Sequence, residues 1–339
     1  QQFTTRCPQV PWYNGRTIVL VMGGETLDPV THALAGLTVA SLSGAELSFT
    51  SPAYLASLLG SLAPDLDILL QFRGHLTYLK YHRGPSHALP GLVLSALAVT
   101  FLLRPYFPEV ASTSMFFWGF AGTLTHTLLD ILNSYGAKPF WPLSNRNVTA
   151  NLLTIFDPVL ALGLTTFLFG QARRSLSYIS LVLVVVYLAG RWLMLRRVQG
   201  FLQHKFSEEV KRVAVLPSML SIWNWAFLVE TAVGYVVGDI PSFAPTLHVR
   251  RWLPKPSSTQ LIGRALTTKL GQLFTDFTPL FYISCQEEDD HSIVKFVDLR
   301  YFVRDDFLHS ATLVFDEDQR PLEGLFHPYN PERKIKVAV

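Results

Sequence analysis

Cysteine and charged residues are both scarce in this chain. Only two cysteines, Cys7 and Cys285, occur in 339 residues, and they form no CxxC pair. This spacing gives no disulfide framework and no zinc site of paired thiolates. Charged residues make up 16% of the chain, hydrophobic residues make up 49%, and the mean hydropathy is +0.28. Such a composition is too apolar for an ordinary soluble enzyme and indicates a membrane protein.

A nucleic-acid partner is not indicated. The formal net charge is only +3, and no basic stripe with interleaved aromatic residues is present. We therefore expect membrane lipid and a small amphipathic molecule as the partners of this chain, rather than DNA or RNA.

Long apolar stretches dominate the first 200 residues. A helix needs roughly 17–25 residues to cross a bilayer. Six stretches approach that length: 30–48, 52–71, 86–103, 113–133, 155–170 and 176–195. We predict an all-α polytopic membrane domain of about six transmembrane helices, with four or five as the fallback, over residues 22–199. Residues 1–21 precede Met22 and are expected to be upstream or disordered sequence.

Acidic residues are rare in this membrane domain, and most of them lie in short motifs with histidine. The motifs are Asp28-x3-His32, Asp65-x-Asp67, His82-x4-His87, His126-x3-Asp130 and Asp157. A charged group in a membrane span costs about 2.5–3.5 kcal/mol on insertion scales, so several together need partners. A bound cation suits both carboxylate and imidazole ligands. The motifs therefore predict a metal site inside a membrane protein.

Loop charges predict that the motifs share one side of the membrane. Lys and Arg concentrate in the 72–85 and 134–154 loops and after the last span. By the positive-inside rule these loops and the C-terminal domain are cytoplasmic. Every motif then falls at the cytoplasmic end of its span, although the topology was assigned without using the motifs.

The spacing of the motifs supports a metal-ligand assignment. His126 and Asp130 are separated by four residues, which places both on one face of a helix. Histidine and aspartate without thiolate favour zinc, with manganese or iron as alternatives, and one or more ions. The expected metal ligands are His32, His82, His87, His126 and Asp130, with Asp65 and Asp67 as further ligands or as the general base. Arg83 is the candidate clamp for a phosphate oxygen.

Three more residues are candidates for a supporting role around the metal: Asp28, Asp157 and Ser86. Asp28 and Asp157 each precede a proline, so each also fits a plain helix N-cap. Ser86 also fits a cap or a nucleophile. These alternatives stay open from the sequence.

As an ordered set, these motifs resemble a known family. His82-Arg-Gly-Pro-Ser-His87, Pro64-Asp-Leu-Asp67, Asp28-Pro-Val-Thr-His32, His126-Thr-Leu-Leu-Asp130 and Asn133-Ser-Tyr-Gly136 resemble the YdjM-like bacterial inner-membrane proteins, described as metal-dependent hydrolases and as LexA-binding proteins. The resemblance covers about residues 22–200 and implies a multi-pass protein of the bacterial inner membrane. More distantly, the pattern is similar to the zinc-dependent phospholipase C and single-strand nuclease superfamily, although no residue here matches that superfamily's N-terminal Trp ligand.

Residues 200–339 differ in kind and predict a small α+β, mainly β, cytoplasmic domain. Val294–Val303 alternates as a strand does, and 311–315, 316–320 and 321–326 fit strand, turn and strand. Residues 216–240 are apolar and fit strands, a re-entrant segment or a seventh span; strands are favoured because Pro217, Asn224 and Glu230 interrupt the stretch. Leu261, Ala265, Leu266, Leu270 and Phe274 keep helical spacing, so one amphipathic helix is expected to pack on the sheet.

The sequence thus favours a metal-dependent hydrolase that acts on a phosphoester or lipid-linked substrate at the cytoplasmic membrane interface. Two other classes remain. A regulatory or scaffold protein would use the metal structurally and act through a protein partner of the C-terminal domain. An ion or metal transporter would also place His and Asp in spans, but it should carry charges near the membrane midplane and often shows inverted repeats.

Overall fold

A computed structural model describes residues 29–73, 78, 81–206, 210–218, 221–243, 246–256, 259–288, 290–303, 306–328 and 334–337. The expectation for residues 1–21 and the Asp28 assignment lie outside the described residues. The chain forms two compact units. We call them the helical unit, which extends to Val198 and includes Leu216–Asn224, and the C-terminal unit, which contains Gln199–Val215 and Trp225–Val339.

Three of the six described helices of the helical unit begin at a proline. The described α-helices are α1 Pro29–Ala40, α2 Pro52–Leu62, α3 Leu89–Leu103, α4 Ser112–Leu132, α5 Pro158–Phe169 and α6 Arg174–Lys205, the last of which continues into the C-terminal unit. Proline suits the first turn because its φ is already helical and its missing N–H has no partner there. Two 3₁₀ segments, Pro64–Arg73 and Pro85–His87, connect α2 to α3.

Small residues bring α1, α2 and α4 close together. The Ser57 hydroxyl of α2 donates to the Gly36 carbonyl oxygen of α1 over 2.7 Å. A Cβ atom added at Gly122 of α4 would overlap the Ser57 carbonyl oxygen of α2. Close backbone approach through small residues is a common way for helices to pack in membranes. Helices α1 and α4 carry three of the predicted metal ligands, and the segment directly after α2 carries two more, Asp65 and Asp67.

The six-span expectation is not confirmed. Each predicted stretch contains a helix, but within the described residues only α6 is long and apolar enough to cross a membrane. A second candidate arises if Pro52–Leu62 and Pro64–Phe72, which are bent by 46° at their junction, count as one broken span. The other stretches are interrupted: α1 stops at Ala40, and Gly44 adopts a left-handed φ of 74° just beyond it. An N-terminal helical region followed by a β-rich domain is what the structure shows.

Helix α6 leaves most of its apolar surface uncovered by protein. Only 17% of its apolar window is buried, and Leu183 and Val186 are each 61% exposed. Helix α3 likewise exposes Leu94 and Phe101, at 66% and 84%. Contiguous apolar surface on this scale is typical of contact with lipid.

The C-terminal unit is mainly β, as expected. Its described strands are β1 Val210–Pro217, β2 Asn224–Thr231, β3 Gly234–Pro241, β4 His248–Pro254, β5 Phe281–Glu287, β6 Ser292–Asp298, β7 Phe302–Val303, β8 Asp306–Phe307, β9 His309–Phe315, β10 Pro321–Pro328 and β11 Ile335–Val337. They form a four-stranded sheet in the order β1-β2-β3-β4, a five-stranded sheet in the order β11-β10-β9-β6-β5, and the small pair β7-β8. The predicted strands at 216–240, 294–303, 311–315 and 321–326 are therefore present, although the run from 294 breaks after Asp298.

Two helices, rather than the single predicted one, pack on the five-stranded sheet. They are α7 Thr259–Thr267 and α8 Lys269–Phe277. The break occurs at Thr268, whose hydroxyl accepts a hydrogen bond from the Gly271 N–H over 3.1 Å and caps α8. The Phe274 ring of α8 lies 5.5 Å from that of Phe296 and 6.2 Å from that of Phe326, so this helix covers the centre of the sheet.

The C-terminal unit contains a buried ion pair. The Asp298 carboxylate, 1% exposed, accepts hydrogen bonds from the Arg300 guanidinium at 2.8–3.0 Å and from the Thr278 hydroxyl at 3.0 Å. The Arg300 guanidinium also lies over the Phe277 ring at 4.8 Å. This buried carboxylate is fully partnered by the chain itself.

Candidate metal centre

Seven side chains from four parts of the helical unit converge in what we call the His/Asp cluster. Its members are His32, Asp65, Asp67, His82, His87, His126 and Asp130. His32 comes from the first turn of α1, and His126 and Asp130 come from the last turns of α4. Pro64 ends α2 and turns the chain into the 3₁₀ segment that carries Asp65 and Asp67. The segment before α3 supplies the other two histidines.

Two histidine nitrogens and two carboxylate oxygens meet at the centre of the cluster. The Nε2 atoms of His87 and His126 are 3.0 Å apart. The Asp130 Oδ2 atom lies 3.0 Å from the His87 Nε2 atom and 3.7 Å from that of His126. The Asp65 Oδ1 atom lies 3.6 Å and 3.4 Å from the same two nitrogens. All four atoms can act as electron-pair donors toward one cation.

Hydrogen bonds on the far side of each ring set the histidine tautomers. The His126 Nδ1–H donates to the Ser61 carbonyl oxygen over 2.6 Å. The Ser86 hydroxyl gives its only proton to Asp67 over 2.7 Å, so its oxygen accepts from the His87 Nδ1–H over 2.9 Å. In each neutral ring the Nε2 atom then carries a lone pair, and the two lone pairs face each other.

His32 and Asp130 extend the cluster and lack hydrogen bonds to the described residues. The two side chains are 1% and 0% exposed, and neither ring nitrogen nor carboxylate oxygen has such a partner within the described part of the chain. The His32 ring stacks on that of His126, with centroids 3.8 Å apart, and its Nε2 atom lies 3.7 Å from the Asp130 Oδ1 atom. Buried polar atoms without a partner are rare in proteins and indicate a group that the site is built to hold.

The donor set fits a divalent metal ion. Three overlapping triads each place one ligand atom per residue within 4.8 Å of the others: His32-His126-Asp130, Asp65-His87-His126 and Asp65-Asp67-His82. A proton on one ring would relieve the contact between His87 and His126 but would leave His32 unpartnered. A divalent cation can be shared by nitrogen and oxygen donors of both kinds, as zinc, manganese and iron commonly are.

His82 lies at the edge of the cluster and is held by Asp67. Its Nδ1 atom is 2.8 Å from the Asp67 Oδ1 atom, and its ring lies 4.5 Å from that of Tyr78. Burial lowers the pKa of His82, and this effect outweighs the hydrogen bond to Asp67, which acts in the opposite direction. A neutral imidazole, the form that binds metal, is therefore favoured.

Arg83 brings a buried positive charge beside the cluster. Its backbone adopts a left-handed φ of 58° and its residue is only 7% exposed. The guanidinium donates to the His82 Nε2 atom at 3.3 Å and to the Asn133 Oδ1 atom at 3.4 Å, and it lies 3.9 Å from the Asp130 Oδ2 atom. It also stacks over the Tyr135 ring at 4.9 Å. A guanidinium fixed in this way can bind an anionic substrate group next to the metal ligands.

Asp157 is placed elsewhere. Its Oδ1 atom accepts hydrogen bonds from the Val159 and Leu160 N–H groups at 3.1 and 3.0 Å, and its Oδ2 atom accepts from the Tyr187 hydroxyl at 2.6 Å. The helix cap accounts for the Oδ1 atom and Tyr187 for the Oδ2 atom, and none of these partners belongs to the His/Asp cluster. Ser86, by contrast, contacts Asp67 and His87 rather than capping a helix.

Two contributors were not singled out from the sequence as site residues. Ser61 acts through its main-chain carbonyl oxygen, which no side-chain pattern reveals. The Asn133 Oδ1 atom accepts from the Tyr135 and Gly136 N–H groups at 2.7 and 3.2 Å as well as from Arg83. The Asn-x-x-Gly turn at the end of α4 was a possible signal, because Gly136 has a φ of 72°.

The family model described as YdjM inner membrane protein matches residues 27–198, just over half of the chain. The chain belongs to the YdjM inner membrane protein family. All the described residues of the His/Asp cluster, with Arg83 and Ser86, lie inside the matched range. Membership in this family confirms the expected resemblance and the association with the inner membrane.

The C-terminal unit has its own relatives. Residues 260–337 match the family model described as the YfhP C-terminal alpha/beta plait domain. Over 286 residues this YdjM-family chain is 24% identical to the uncharacterized protein YfhP of Bacillus subtilis (strain 168). The aligned region covers 81% of this chain and 87% of YfhP. No solved structure matches the chain.

Proposed function

We propose that this chain is a membrane-embedded metal-dependent hydrolase whose site opens at the cytoplasmic face of the inner membrane. The observation that carries the proposal is the buried meeting of the His87 and His126 Nε2 atoms with the Asp130 carboxylate, which leaves donor atoms facing one another. A metal-dependent hydrolase uses a bound cation at the place where charge develops in the transition state.

We assign the residues as follows. His32, His87, His126, Asp130 and Asp65 would hold the cation, which we expect to be zinc. A divalent cation bound there would polarise a phosphoryl or acyl oxygen and acidify a water molecule. Asp65 is the most accessible member of the set, with its side chain 16% exposed, so it is best placed to accept a proton from an incoming water.

Arg83 supports a phosphoester substrate. Its guanidinium lies 3.9 Å from a carboxylate oxygen of the cluster and is fixed by Asn133 and Tyr135. A fixed, buried guanidinium next to a cation suits a phosphate oxygen better than a neutral ester. Because α3 and α6 expose apolar surface typical of lipid contact, an amphipathic phosphoester such as a phospholipid or lipid-linked phosphate is the substrate class we favour.

The proposed orientation follows from charge. Lys and Arg concentrate in the loops next to the cluster, and the positive-inside rule then puts the cluster and the C-terminal unit on the cytoplasmic side. We retain a multi-pass arrangement of up to six spans as part of the proposal. The membership in an inner-membrane family and the exposed apolar faces support it.

The proposal is tested on purified full-length protein in detergent. We expect at least one transition-metal ion per chain by elemental analysis, and hydrolysis of one or more members of a panel of water-soluble and lipid phosphoesters. His87→Ala and His126→Ala should each lose metal and turnover together. His204→Ala, which changes a histidine at the exposed end of α6, is the matched control and should keep both.

The outcomes separate the competing classes. Metal without turnover on any phosphoester would favour a structural metal and a regulatory or scaffold role. Metal-dependent ion flux in proteoliposomes, with no hydrolysis, would favour a transporter. Parent-like metal content in His87→Ala and His126→Ala would remove the metal site itself.

A further inference from the structure

We propose that Asp67 is a positioning residue that sets the tautomers of two histidines of the His/Asp cluster at once, one of which, His87, is a proposed metal ligand. It would act on His82 directly and on His87 through the Ser86 hydroxyl. The inference rests on the proposed metal site and assigns Asp67 a task distinct from those of ligand and general base.

Both carboxylate oxygens of Asp67 are already engaged by the chain. The Oδ1 atom lies 2.8 Å from the His82 Nδ1 atom. The Oδ2 atom accepts from the Ser86 hydroxyl at 2.7 Å and from the Arg83 N–H at 3.3 Å. The side chain is only 5% exposed. A carboxylate held by three donors is oriented and poorly placed to take a proton from water, whereas Asp65 is more open.

The positions of the protons in this network connect the Asp67 carboxylate to the tautomers of His82 and His87. An ionised carboxylate only accepts, so the His82 Nδ1 atom must carry the proton of that hydrogen bond. The His82 Nε2 atom keeps a lone pair, which accepts from the Arg83 Nε–H at 3.3 Å. Ser86 has one proton and donates it to Asp67, so the His87 Nδ1–H must donate to the Ser86 oxygen. The His87 Nε2 atom, which faces Asp130 and His126, is then also a lone pair.

The third histidine provides a contrast inside the same cluster. The His126 Nδ1–H donates to a main-chain carbonyl oxygen, that of Ser61, at 2.6 Å. Its tautomer does not depend on Asp67 or Ser86. Changes at Asp67 should therefore affect two of the four histidine rings in the cluster, changes at Ser86 only one, and neither should disturb the tautomer of His126.

Partners of this kind behind metal-binding histidines typically contribute 10–100-fold to metal affinity. Asp67→Asn replaces one acceptor oxygen with an NH₂ group, so at least one of His82 and Ser86 loses its acceptor. Ser86→Ala removes only the link to His87. Ser86→Thr keeps the hydroxyl and should therefore preserve the link to His87.

The experiment measures zinc affinity of the full-length protein in detergent by competition with a chromophoric chelator. We expect Asp67→Asn and Ser86→Ala each to weaken zinc binding about 10–100-fold, and Ser86→Thr to stay near the parent. The Asp67→Asn/Ser86→Ala double variant should bind little more weakly than Asp67→Asn alone, because both act through one network. Ser177→Ala removes a buried serine that bonds to the Phe167 carbonyl oxygen and should change nothing.

Unchanged zinc affinity in Asp67→Asn and Ser86→Ala would overturn this inference alone and leave the hydrolase proposal intact. Parent-like zinc affinity with lost hydrolysis in Asp67→Asn would instead identify Asp67 as the base. A parent protein that binds no metal would overturn both proposals. If Asp67→Asn does not fold, Ser86→Ala with its Ser86→Thr rescue decides the question.

Discussion

Each unit of this protein buries an aspartate side chain completely, and the two carboxylates differ in the hydrogen bonds that they accept. Asp298 of the C-terminal unit, 1% exposed, is held by Arg300 and Thr278 through hydrogen bonds of 2.8–3.0 Å. Asp130 of the helical unit, 0% exposed, forms no hydrogen bond with the described residues, and its near neighbours are histidines and a more distant Arg83.

The difference distinguishes a buried charge that the chain partners by itself from one for which we propose a bound metal ion. Burying an unpaired carboxylate costs several kcal/mol, and a chain that has no use for it would supply a partner, as the C-terminal unit does. Where several buried acceptors converge without such a donor, as at Asp130, the proposed metal ion would be the partner. The comparison therefore predicts different responses to mutation and to metal in the two units.

The largest effect is expected in the C-terminal unit. Arg300→Met should lower the free energy of unfolding of this unit by about 3–5 kcal/mol, because it leaves Asp298 buried and unpaired. The loss should be the same with and without chelator, as followed by thermal unfolding of the purified protein. The Asp298→Leu/Arg300→Met double variant should regain part of the loss, and a double variant no more stable than Arg300→Met would contradict this account.

A smaller effect on the free energy of unfolding is expected at Asp130, and this effect depends on whether metal is present. In zinc at about 100 times the dissociation constant, a bound ion contributes roughly 2.7 kcal/mol to stability. Asp130→Asn should lose most of that contribution, so it unfolds at a lower temperature than the parent in zinc. In chelator the stability of the same variant should be closer to that of the parent, because neither protein then gains stability from a bound ion.

The control for this comparison is Asp157→Asn, which changes a buried carboxylate that caps α5 and accepts from Tyr187. It should destabilise equally in zinc and in chelator. If Asp130→Asn behaved in the same way, Asp130 would be a structural residue like Asp298.

The smallest predicted effect concerns the pH dependence of the C-terminal unit. Burial lowers the pKa of Lys295 below its usual value of 10.5. Between the lowered pKa and 10.5 the unfolded chain binds more protons than the folded one, so the free energy of unfolding should rise with pH in that range. Lys295→Met should flatten the rise in denaturant titrations at alkaline pH, whereas Lys336→Met, at an 83% exposed side chain, should not. A parent-like slope in Lys295→Met would exclude Lys295 as its source.

The sequence predicted the β strands of the C-terminal unit better than the membrane spans. The alternation of buried and half-buried positions in 311–315 is local, so it is readable without the fold, whereas 296–298 are buried on both faces of their strand. Helix length is harder, because apolar composition continues past the residue where a helix ends. Ala40, followed by Gly44 in a left-handed conformation, ends α1 inside an apolar stretch. Thr268 breaks the predicted single helix through a cap that spacing alone does not reveal.

For the candidate site, the sequence predicted which side chains belong to the cluster but not which contacts each of them makes. Rare charges in an apolar chain mark His32, Asp65, His87 and their neighbours because each one is costly to bury. Which oxygen faces a donor of the chain and which faces the centre depends on three-dimensional contacts. Asp67 and Asp65 are two residues apart and equivalent in sequence, yet only Asp67 is enclosed by donors.

The short helices of the helical unit have a further consequence for the surrounding bilayer. Helices α1, α2, α3 and α5 contain 12, 11, 15 and 12 residues. At 1.5 Å per residue they are roughly 16–23 Å long, whereas the hydrocarbon core of a bilayer is about 30 Å thick. A membrane that matched them would have to thin locally, at fractions of a kcal/mol per Å of mismatch. Such thinning would bring lipid headgroups inward toward the buried aspartates, so membrane thickness would itself control how easily a headgroup reaches them.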